Sequence, residues 1–535
     1  MLDTIDQTIS RIEKLNGDKK GKKIAIVGAG MAGLTAAYEL SRMGHEVVIF
    51  EASERVGGRA FTARHNDQYH EYGAMRFPKE HDHTRYYATL CGLHFATFIN
   101  HHGDEDTFYF IKGIRCRQSE WNSKLIAELR LSENELKIIH EGPIEPGKGP
   151  QLLNLLAFPL ENTIREIENN EFDLRAILGK GPMTHRIREF DKMSLGQYLR
   201  TYLDTPDALE LIGTITGLED FYDRAVSMFI REEFVARDRL KTQGIDPGMD
   251  EIVGGTDLLS KILAEKVSDQ GVTIHLKHEV FAINNQGNHI RLEVRKRGRD
   301  ENQEELAYDF PFVICTAPFP VVRRMKLTGV SDGKRRAIRN ISYASSTKVL
   351  IFTSNRFWEN TTYRIKGGAS QFDLVNSQLY YPSYNAPMNK ALPSQMKASF
   401  LQINTVDKGV SQAKPEKPGV LVGSYCWGPD AVRLGALPSK EREKLVVDCV
   451  ATVHPEILEP GMVQKTASIC WDTAPWAGGA FSFMKPGELP LYYEDAIKPE
   501  GNLLFAGEHC SIDNGWIQGA ITSSLSAVRH IVQQA

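Results

Sequence analysis

The feature that most constrains the fold is a glycine-rich turn near the N-terminus, Gly28-Ala29-Gly30-Met31-Ala32-Gly33. It follows a short apolar run at 23–27 and opens a segment with helical spacing at 31–43. A second apolar run follows at 46–50. This order of run, turn, helix and run predicts a βαβ unit, which is the setting in which a GxGxxG turn binds a dinucleotide.

Each glycine of the turn has a separate physical role. Gly28 allows the tight turn, Gly30 lets the backbone approach a pyrophosphate, and Gly33 lets the helix pack closely on the strand. The helix N-terminus then offers free N–H groups and a partial positive charge to the phosphates. Glu51, at the end of the second strand, is placed to bind ribose hydroxyls and disfavours a 2′-phosphate, so the cofactor is not expected to be NADP.

Composition excludes several classes of protein. The 535 residues carry a net charge of −4, without the basic stripe of a nucleic-acid binder. No run approaches the roughly 18 apolar residues of a membrane-spanning helix, and residues 1–21 lack the apolar region of a secretory signal. They indicate an amphipathic helix instead, and we expect a cytoplasmic protein that contacts no membrane.

Cysteine and histidine spacing argues against a metal site. The seven cysteines include no CxxC pair, which is typical of free thiols in a reducing compartment. His81-Asp82-His83 and His101-His102 match no metal-binding spacing, and we expect them in surface loops. No metal is therefore predicted.

The organisation along the chain indicates one nucleotide-binding sheet built from distant pieces. Residues 122–238 carry mostly helical spacing, and strand signals return from about 271, with a hairpin at 291–295 and 304–310. A strand at 502–506 and a helix at 519–532 have the same Rossmann-like character as the opening βαβ unit. We infer that other domains are inserted between the two ends of this sheet.

Five further segments carry a family resemblance. Residues 51–59 resemble the extended fingerprint of glutathione-reductase-type FAD proteins, and Arg55-x-Gly57-Gly58-Arg59 resembles the second dinucleotide motif of flavin amine oxidases. Residues 504–509 resemble that family's second FAD-contacting strand, and 514–521 resemble its turn against the flavin. Residues 251–256 and 279–280 resemble its middle Gly-Gly segment and adenine-contacting strand. From about residue 23 to 525, the chain is identified as a member of the flavin monoamine oxidase superfamily.

The resemblance implies an α/β plus α+β fold with FAD as cofactor. A Rossmann-like FAD-binding domain would comprise 21–75, 248–340 and 470–535, with a mixed-sheet substrate-binding domain at 76–121 and 341–469, a helical domain at 122–247 and an N-terminal helix at 1–20. The implied cofactor-binding residues are Gly28, Ala29, Gly30, Met31, Ala32, Gly33, Glu51, Ala52, Arg55, Gly57, Gly58, Arg59, Gly73, Ala74, Met75, Arg76, Val280, Trp471, Gly507, Glu508, Gly515, Trp516 and Ile517.

Arg76 distinguishes among members of the superfamily. The segment 71–78 resembles the Gly-x-Met-Arg signature of L-amino acid oxidases, in which the arginine pairs with the substrate carboxylate. An amine without a carboxylate would leave this guanidinium unpaired in the pocket, at a cost of several kcal/mol. Arg76 therefore favours an amino acid as substrate, and the alternative is a structural salt bridge.

The resemblance also implies roles for a lysine and several aromatic residues. Lys348, at the start of a predicted strand, resembles the family lysine that is bridged by water to flavin N5, where it would position that water for reaction with oxygen. Tyr425 resembles a residue that bonds the carboxylate beside the arginine, and Trp516 one wall of an aromatic slot. The catalytic residues are predicted as Lys348, Arg76 and Trp516, and the substrate-binding residues as Arg76, Tyr380, Tyr425, Trp427, Trp471, Gly515 and Trp516.

The predicted activity is oxidative deamination of an L-amino acid. Hydride would pass from Cα to flavin N5, oxygen would become hydrogen peroxide, and the imino acid would hydrolyse to a 2-oxo acid and ammonia. Side-chain preference is expected to be broad or hydrophobic, or basic if Glu232, Glu233 or Asp238 faces the pocket. The alternatives are an amino-acid 2-monooxygenase, an amine or polyamine oxidase, and a flavin-bound scaffold protein. A homodimer or higher homo-oligomer is a family-level expectation.

Overall fold

The structure is a computed structural model that describes residues 4–17, 21–66, 68–100, 106–144, 151–178, 181–217, 221–243, 248–297, 303–383 and 414–534, without the side chains of 236 and 238–243. Of the segments interpreted above, His101-His102 lies outside the described residues.

A parallel five-stranded sheet forms the centre of the nucleotide-binding part. Its strands lie in the order Thr273–His275, Glu46–Phe50, Lys23–Val27, Phe312–Cys315 and Leu503–Phe505. Lys23–Val27 is buried beyond its first residue. The helix Met31–Arg42 packs against the C-terminal helix Ile517–Gln533, so the first and last parts of the chain share one core. The predicted βαβ unit and its distant closing strand are both present.

A smaller sheet lies beside the parallel one. Its four strands, in the order Gln303–Phe310, Ile290–Arg297, His278–Asn285 and Lys326–Thr328, are antiparallel except for the last pair. The predicted hairpin is present, with Ile290 opposite Phe310 and Arg297 opposite Gln303.

A seven-stranded mixed sheet forms the other large layer. Its two longest central strands, Ser346–Thr353 and Gly419–Trp427, are almost wholly buried, because helices cover one face and the nucleotide-binding part approaches the other. The sheet order is Val463–Cys470, Ser346–Thr353, Gly419–Trp427, Gln378–Tyr380, Ala369–Phe372, Phe108–Ile111 and Ile114–Arg117. Three small sheets join Thr62–His65 to Gln68–Glu71, Ser342–Ala344 to Phe481–Phe483, and Met249–Ile252 to both Phe77–Pro78 and Phe95–Phe98.

The region between 121 and 243 is helical, as its spacing predicts, and it has its own apolar core. Several of its helices begin at a serine or threonine whose side chain accepts a backbone N–H, which is the usual N-terminal cap. Its helices are Trp121–Lys124, Glu133–Glu141, Asn154–Glu168, Glu171–Ile177, His185–Asp191, Leu195–Leu199, Pro206–Thr216 and Val226–Gln243.

The remaining helices lie against the sheets. The N-terminal helix Ile5–Asn16 begins at Thr4 with a capping box and packs on the C-terminal helix. Within the described part of the chain, no helix is long and apolar enough to cross a membrane. The other helices are Asp82–Leu90, Asp257–Asp269, Phe319–Val322, Asp332–Asn340, Gly428–Ala436, Ser439–Ala451 and Leu489–Ile497.

Candidate active site

A cavity of about 440 Å³ runs from the carboxyl edge of the parallel sheet to the seven-stranded sheet. One end is formed by the glycine turn and the end of the second strand, at Gly28, Gly30 and Glu51. The other end reaches Lys348 and Tyr425 on neighbouring strands of the large sheet. The carboxyl edge of a parallel sheet is where such folds bind dinucleotides.

The glycine turn has the geometry that its sequence predicts. Gly28 has φ +105°, a conformation that favours glycine. A Cβ at Gly33 would lie 2.0 Å from the carbonyl oxygen of Gly28, so only glycine allows this close packing of helix on strand. A Cβ at Gly30 would meet nothing within 4 Å, which leaves the open approach that a pyrophosphate requires.

Glu51 lines the cavity at the nucleotide end and is fixed there by the backbone. Its carboxylate accepts the N–H of Ala29 at 2.7 Å and that of Ser53 at 2.8 Å. The strand end therefore holds the acid beside the glycine turn, at the position expected for ribose binding. Trp476 lies farther along the same end, with the guanidinium groups of Arg297 and Arg324 at 4.6 and 5.8 Å from its ring.

Glu508 lies where the last parallel strand leaves the sheet, and it is 5% exposed. Its carboxylate accepts the N–H groups of Ser482 and Gly515 and pairs with Arg59 at 2.8 Å. Burial acts to raise the pKa of Glu508, but Arg59, His509 and the Gly515 N–H together outweigh it and hold that pKa below its usual value. Arg59, interpreted from the sequence as a phosphate ligand, thus contacts Glu508 and the Ala480 carbonyl in this structure.

Arg76 lies next to the cavity among aromatic rings. Its guanidinium carbon is 5.3 Å from the ring centres of Phe98 and Tyr380 and 6.0 Å from that of Tyr425. The Nε and Nη1 atoms are buried, and neither has a hydrogen-bond partner among the described residues. No acidic side chain in the described part of the chain pairs with Arg76, as a structural salt bridge would require.

Lys348 is almost completely buried at the junction of the two large sheets. Its ammonium donates to the carbonyl oxygens of Gly73 at 2.7 Å and Glu71 at 3.4 Å, and it lies 4.1 Å from the Tyr425 ring centre. Burial lowers the pKa of Lys348, the Glu71 carboxylate raises it, and the Arg76 guanidinium lowers it further. The side chain faces the cavity, as a residue beside a flavin would.

Aromatic side chains form the remaining walls. The indole N–H of Trp471 donates to the Tyr72 carbonyl at 3.0 Å, which fixes its ring. Trp427 lies 4.6 Å from Tyr425 and 5.0 Å from Phe481, measured between ring centres. Trp516 is the N-terminal cap residue of the last helix, Ile517–Gln533.

His81 supports Trp516 from behind, with the two ring centres 5.1 Å apart. The expectation that His81-Asp82-His83 is a surface loop is wrong, because His81 and His83 are both buried. The His83 ring contacts Asp82 at 2.7 Å and Gln518 at 3.0 Å, so this segment packs on the C-terminal helix. Among the described residues, no group of three His, Cys, Asp or Glu side chains could hold a metal ion.

Most predicted cofactor residues line the cavity, and four do not. Ala29, Gly33, Met75 and Arg76 are not among the residues that line the cavity. The substrate residue Tyr380 does not line it either, but Tyr380 and Arg76 both lie beside Tyr425, which does. The predicted residues that line the cavity are Gly28, Gly30, Met31, Ala32, Glu51, Ala52, Arg55, Gly57, Gly58, Arg59, Gly73, Ala74, Val280, Lys348, Tyr425, Trp427, Trp471, Gly507, Glu508, Gly515, Trp516 and Ile517.

Sequence reasoning missed the aromatic and cationic group beside Trp427. Phe221 lies 5.6 Å from Trp427 and 6.1 Å from Phe481 between ring centres, and the Arg224 guanidinium is 3.6 Å from the Phe221 ring centre. Phe221 and Arg224 are far from Trp427 and Phe481 in the sequence, and the group belongs to no motif. The only local signal is that two aromatic residues and an arginine stand close together at 221–224.

The acids of the helix Val226–Gln243 differ in their surroundings. Glu232 keeps contact with solvent, yet protein encloses it closely enough that burial raises its pKa to about 6, with Asp513 adding to the rise and Arg224 opposing it. Glu233 accepts a hydrogen bond from Arg237 instead, and the side chain of Asp238 lies outside the described residues.

The residues present fit a flavin dinucleotide. The open approach at Gly30, the ribose acid Glu51 and the buried acid Glu508 lie along one cavity. Arg55 and Arg59 line the same cavity, so its surface carries cationic groups as well.

Comparison with known proteins agrees with this fit. The flavin-dependent L-tryptophan oxidase RebO of Lentzea aerocolonigenes is 30% identical over 95% of this chain and 98% of its own length. L-amino-acid oxidases of Siganus canaliculatus and Crotalus adamanteus are each 28% identical, over 100% and 97% of this chain and 88% of their own lengths.

Solved structures share the fold at low identity. Cyclohexylamine oxidase from Brevibacterium oxydans has a TM-score of 0.68 at 16% identity, covering 96% of this chain and 99% of that one. A putrescine oxidase has a TM-score of 0.67 at 17% identity, with the same coverage. The sequence profile described as flavin-containing amine oxidoreductase matches residues 31–532. The chain therefore belongs to the flavin-containing amine oxidoreductases, and FAD is its cofactor.

Proposed function

We propose that this flavoenzyme oxidatively deaminates L-amino acids and passes the electrons to oxygen. The observation that carries the proposal is the Arg76 guanidinium, whose Nε and Nη1 atoms are buried without a hydrogen-bond partner among the described residues. A buried guanidinium in this state has a large energetic need for an anion. A substrate carboxylate meets that need, because its two oxygens match the planar fork of arginine.

The neighbouring residues suit the other parts of an amino acid. Tyr425 and Tyr380 lie next to each other beside the Arg76 guanidinium, and a phenol O–H can donate to the same carboxylate. Trp516 and Trp471 both line the cavity, where an amine and its Cα would be held. Such positioning contributes to the rate by fixing the reacting atoms before the reaction begins.

FAD, when bound, accepts a hydride from Cα and later reduces oxygen to hydrogen peroxide. The chain itself supplies binding and orientation: Arg76 holds the carboxylate and the aromatic wall aligns the amine. The resulting imino acid hydrolyses in water to a 2-oxo acid and ammonia. The names of the relatives, L-tryptophan oxidase and L-amino-acid oxidase, support this substrate class.

The decisive experiment mixes the purified FAD-loaded protein, without oxygen, with L-amino acids, D-amino acids and amines. We expect the visible flavin band to bleach with L-amino acids alone, and peroxide, 2-oxo acid and ammonia to form in air. An amide product would indicate a monooxygenase instead. Bleaching by amines only would contradict the proposal, and a band that nothing bleaches would favour a non-catalytic flavoprotein.

Replacement of Arg76 tests the carboxylate role directly. We expect Arg76→Ala to lower kcat/KM for L-amino acids about 100-fold, chiefly through KM, because losing one partner of a buried charge pair costs about 3 kcal/mol. Arg76→Lys, which keeps the charge but loses the planar fork, should lose less. A normal kcat/KM in the alanine variant would show that Arg76 does not bind the substrate.

A further inference from the structure

Glu71 is a buried acid that the proposed reaction does not use. It ends the strand Gln68–Glu71 and is 5% exposed. One carboxylate oxygen accepts the backbone N–H of Thr256 at 2.7 Å, and the other accepts the hydroxyl of Thr62 at 2.8 Å. A carboxylate held by two donors inside a protein is kept in place and favoured in its charged form. Burial nevertheless raises the pKa of Glu71, so its charge is costly and requires a nearby cation.

A buried cation, Lys348, lies beside Glu71. Its ammonium hydrogen-bonds the backbone carbonyl of Glu71, while the Glu71 carboxylate makes no ion pair with it and acts through space. The other charged group near Lys348 is Arg76, which opposes the ammonium form. His70 also lies nearby, but burial lowers its pKa to about 3, so it is neutral at working pH.

The hydrogen bonds of Lys348 leave one position at Nζ whose chemistry depends on whether the side chain is charged. The carbonyl oxygens of Gly73 and Glu71 occupy two of the three positions around Nζ. In the ammonium form the third position is an N–H, and in the neutral amine it is a lone pair. Because Lys348 lines the cavity, this third position determines whether the cavity faces a donor or an acceptor.

We propose that Glu71 is a positioning residue that keeps Lys348 in its ammonium form and thereby presents an N–H, rather than a lone pair, to the flavin cavity. Other charges around Glu71 do not replace it in this role. Asp257 is compensated by Arg64 at 2.5 Å and Lys261 at 2.7 Å. Tyr425, which faces the ammonium with its ring, is a neutral phenol whose pKa burial raises. The inference rests on the proposed function only in taking this cavity as the flavin site.

The test is a pH titration of Lys348 in the FAD-loaded protein without substrate. Protein labelled with ¹³C at the lysine ε-carbon gives the titration midpoint by NMR, and Lys348→Met identifies the signal. We expect Glu71→Gln, which keeps the size of the side chain, to shift the midpoint at least about one pH unit lower, a tenfold change in the ratio of the two forms. His70→Gln is the matched control and should leave the midpoint unchanged.

An unchanged or higher midpoint in Glu71→Gln would overturn the inference. If that variant does not fold, Thr62→Val serves instead, because it removes a donor that favours the Glu71 charge and should shift the midpoint in the same direction by less. An unchanged midpoint there would also overturn the inference. The titration needs no substrate, so bleaching of the wild-type flavin by amino acids tests the proposed function separately.

Discussion

The two ends of the cavity are built in opposite ways. The nucleotide end is formed largely by backbone and small residues, so that Gly28, Gly30 and Gly33 bring the chain close to a ligand or to itself. The substrate end is formed by large side chains, with the half-buried Arg76 and the buried Lys348 beside aromatic rings. The first end should therefore be damaged by added atoms, and the second by removed atoms or charges.

The largest effect is expected where an added atom meets backbone. Gly33→Ala would place a Cβ 2.0 Å from the Gly28 carbonyl oxygen, so the apoprotein should lose at least about 3 kcal/mol of stability and bind little flavin. Thermal unfolding of the apoprotein measures the first effect. Gly30→Ala is the matched control: its Cβ meets nothing within 4 Å, so unfolding should be nearly unchanged while FAD affinity falls. Equal destabilisation by both variants would contradict this account of the turn.

Removing one charge from the ion pair between Arg59 and Glu508 should have the next largest effect. Glu508→Gln leaves Arg59 buried without its carboxylate, which costs about 3 kcal/mol. We expect a lower unfolding temperature and a weaker Kd for FAD. Glu305→Gln, which breaks the exposed pair with Arg295, is the control and should change stability by less than about 1 kcal/mol. Similar losses in both variants would mean that burial of the Arg59 pair has no energetic importance.

Two tryptophans allow the ends to be compared with the same substitution. Trp427→Ala removes a ring from the substrate end, so KM for aromatic L-amino acids should rise about tenfold, the amount expected from roughly 1–2 kcal/mol of lost contact. Trp476→Ala removes a ring from the nucleotide end and should weaken FAD binding while leaving KM of the saturated enzyme unchanged. Steady-state kinetics at saturating FAD separates the two. The opposite pattern would reverse the assignment of the ends.

The smallest effect concerns Glu232. Its pKa is raised in the folded protein to about 6, mainly by burial, so folding favours the protonated acid. That stabilisation is fully present below the unfolded pKa of about 4.3 and is lost as the pH rises to about 6. Glu232→Gln should therefore unfold at a slightly higher temperature than the wild type at pH 7.5, with no difference at pH 4. A difference of the same size at both pH values would rule out titration of Glu232 as its cause.

The same contrast explains what could be predicted from the sequence. The nucleotide end follows from short motifs whose glycines and acids act within one turn, and the family, the flavin cofactor and the fold class are confirmed. Lys348 and Tyr425 were placed by resemblance, and they indeed lie opposite each other on paired strands. The individual residue roles, the domain boundaries, the oligomeric state and the cytoplasmic location stay predictions.

What could not be predicted depends on contacts between distant segments. Arg224 stacks on Phe221 from its own region but also lies 4.8 Å from the Phe481 ring centre, a contact that no local pattern encodes. Glu71 was visible only as part of the segment before Arg76. Its relation to Lys348 depends on the packing of a small hairpin against the seven-stranded sheet. The buried position of His81 likewise depends on contact with the C-terminal helix.

The closing strand of the parallel sheet has a consequence for how the protein is made. Leu503–Phe505 pairs with Phe312–Cys315, and Glu508 follows it directly, far along the chain from the glycine turn at 28–33. A nascent chain that has already formed the glycine turn still lacks one wall of the cofactor cavity. The cavity therefore stays incomplete until synthesis has passed this strand, and a chain cut short before it would lack Glu508 and Trp516, which line the cofactor cavity.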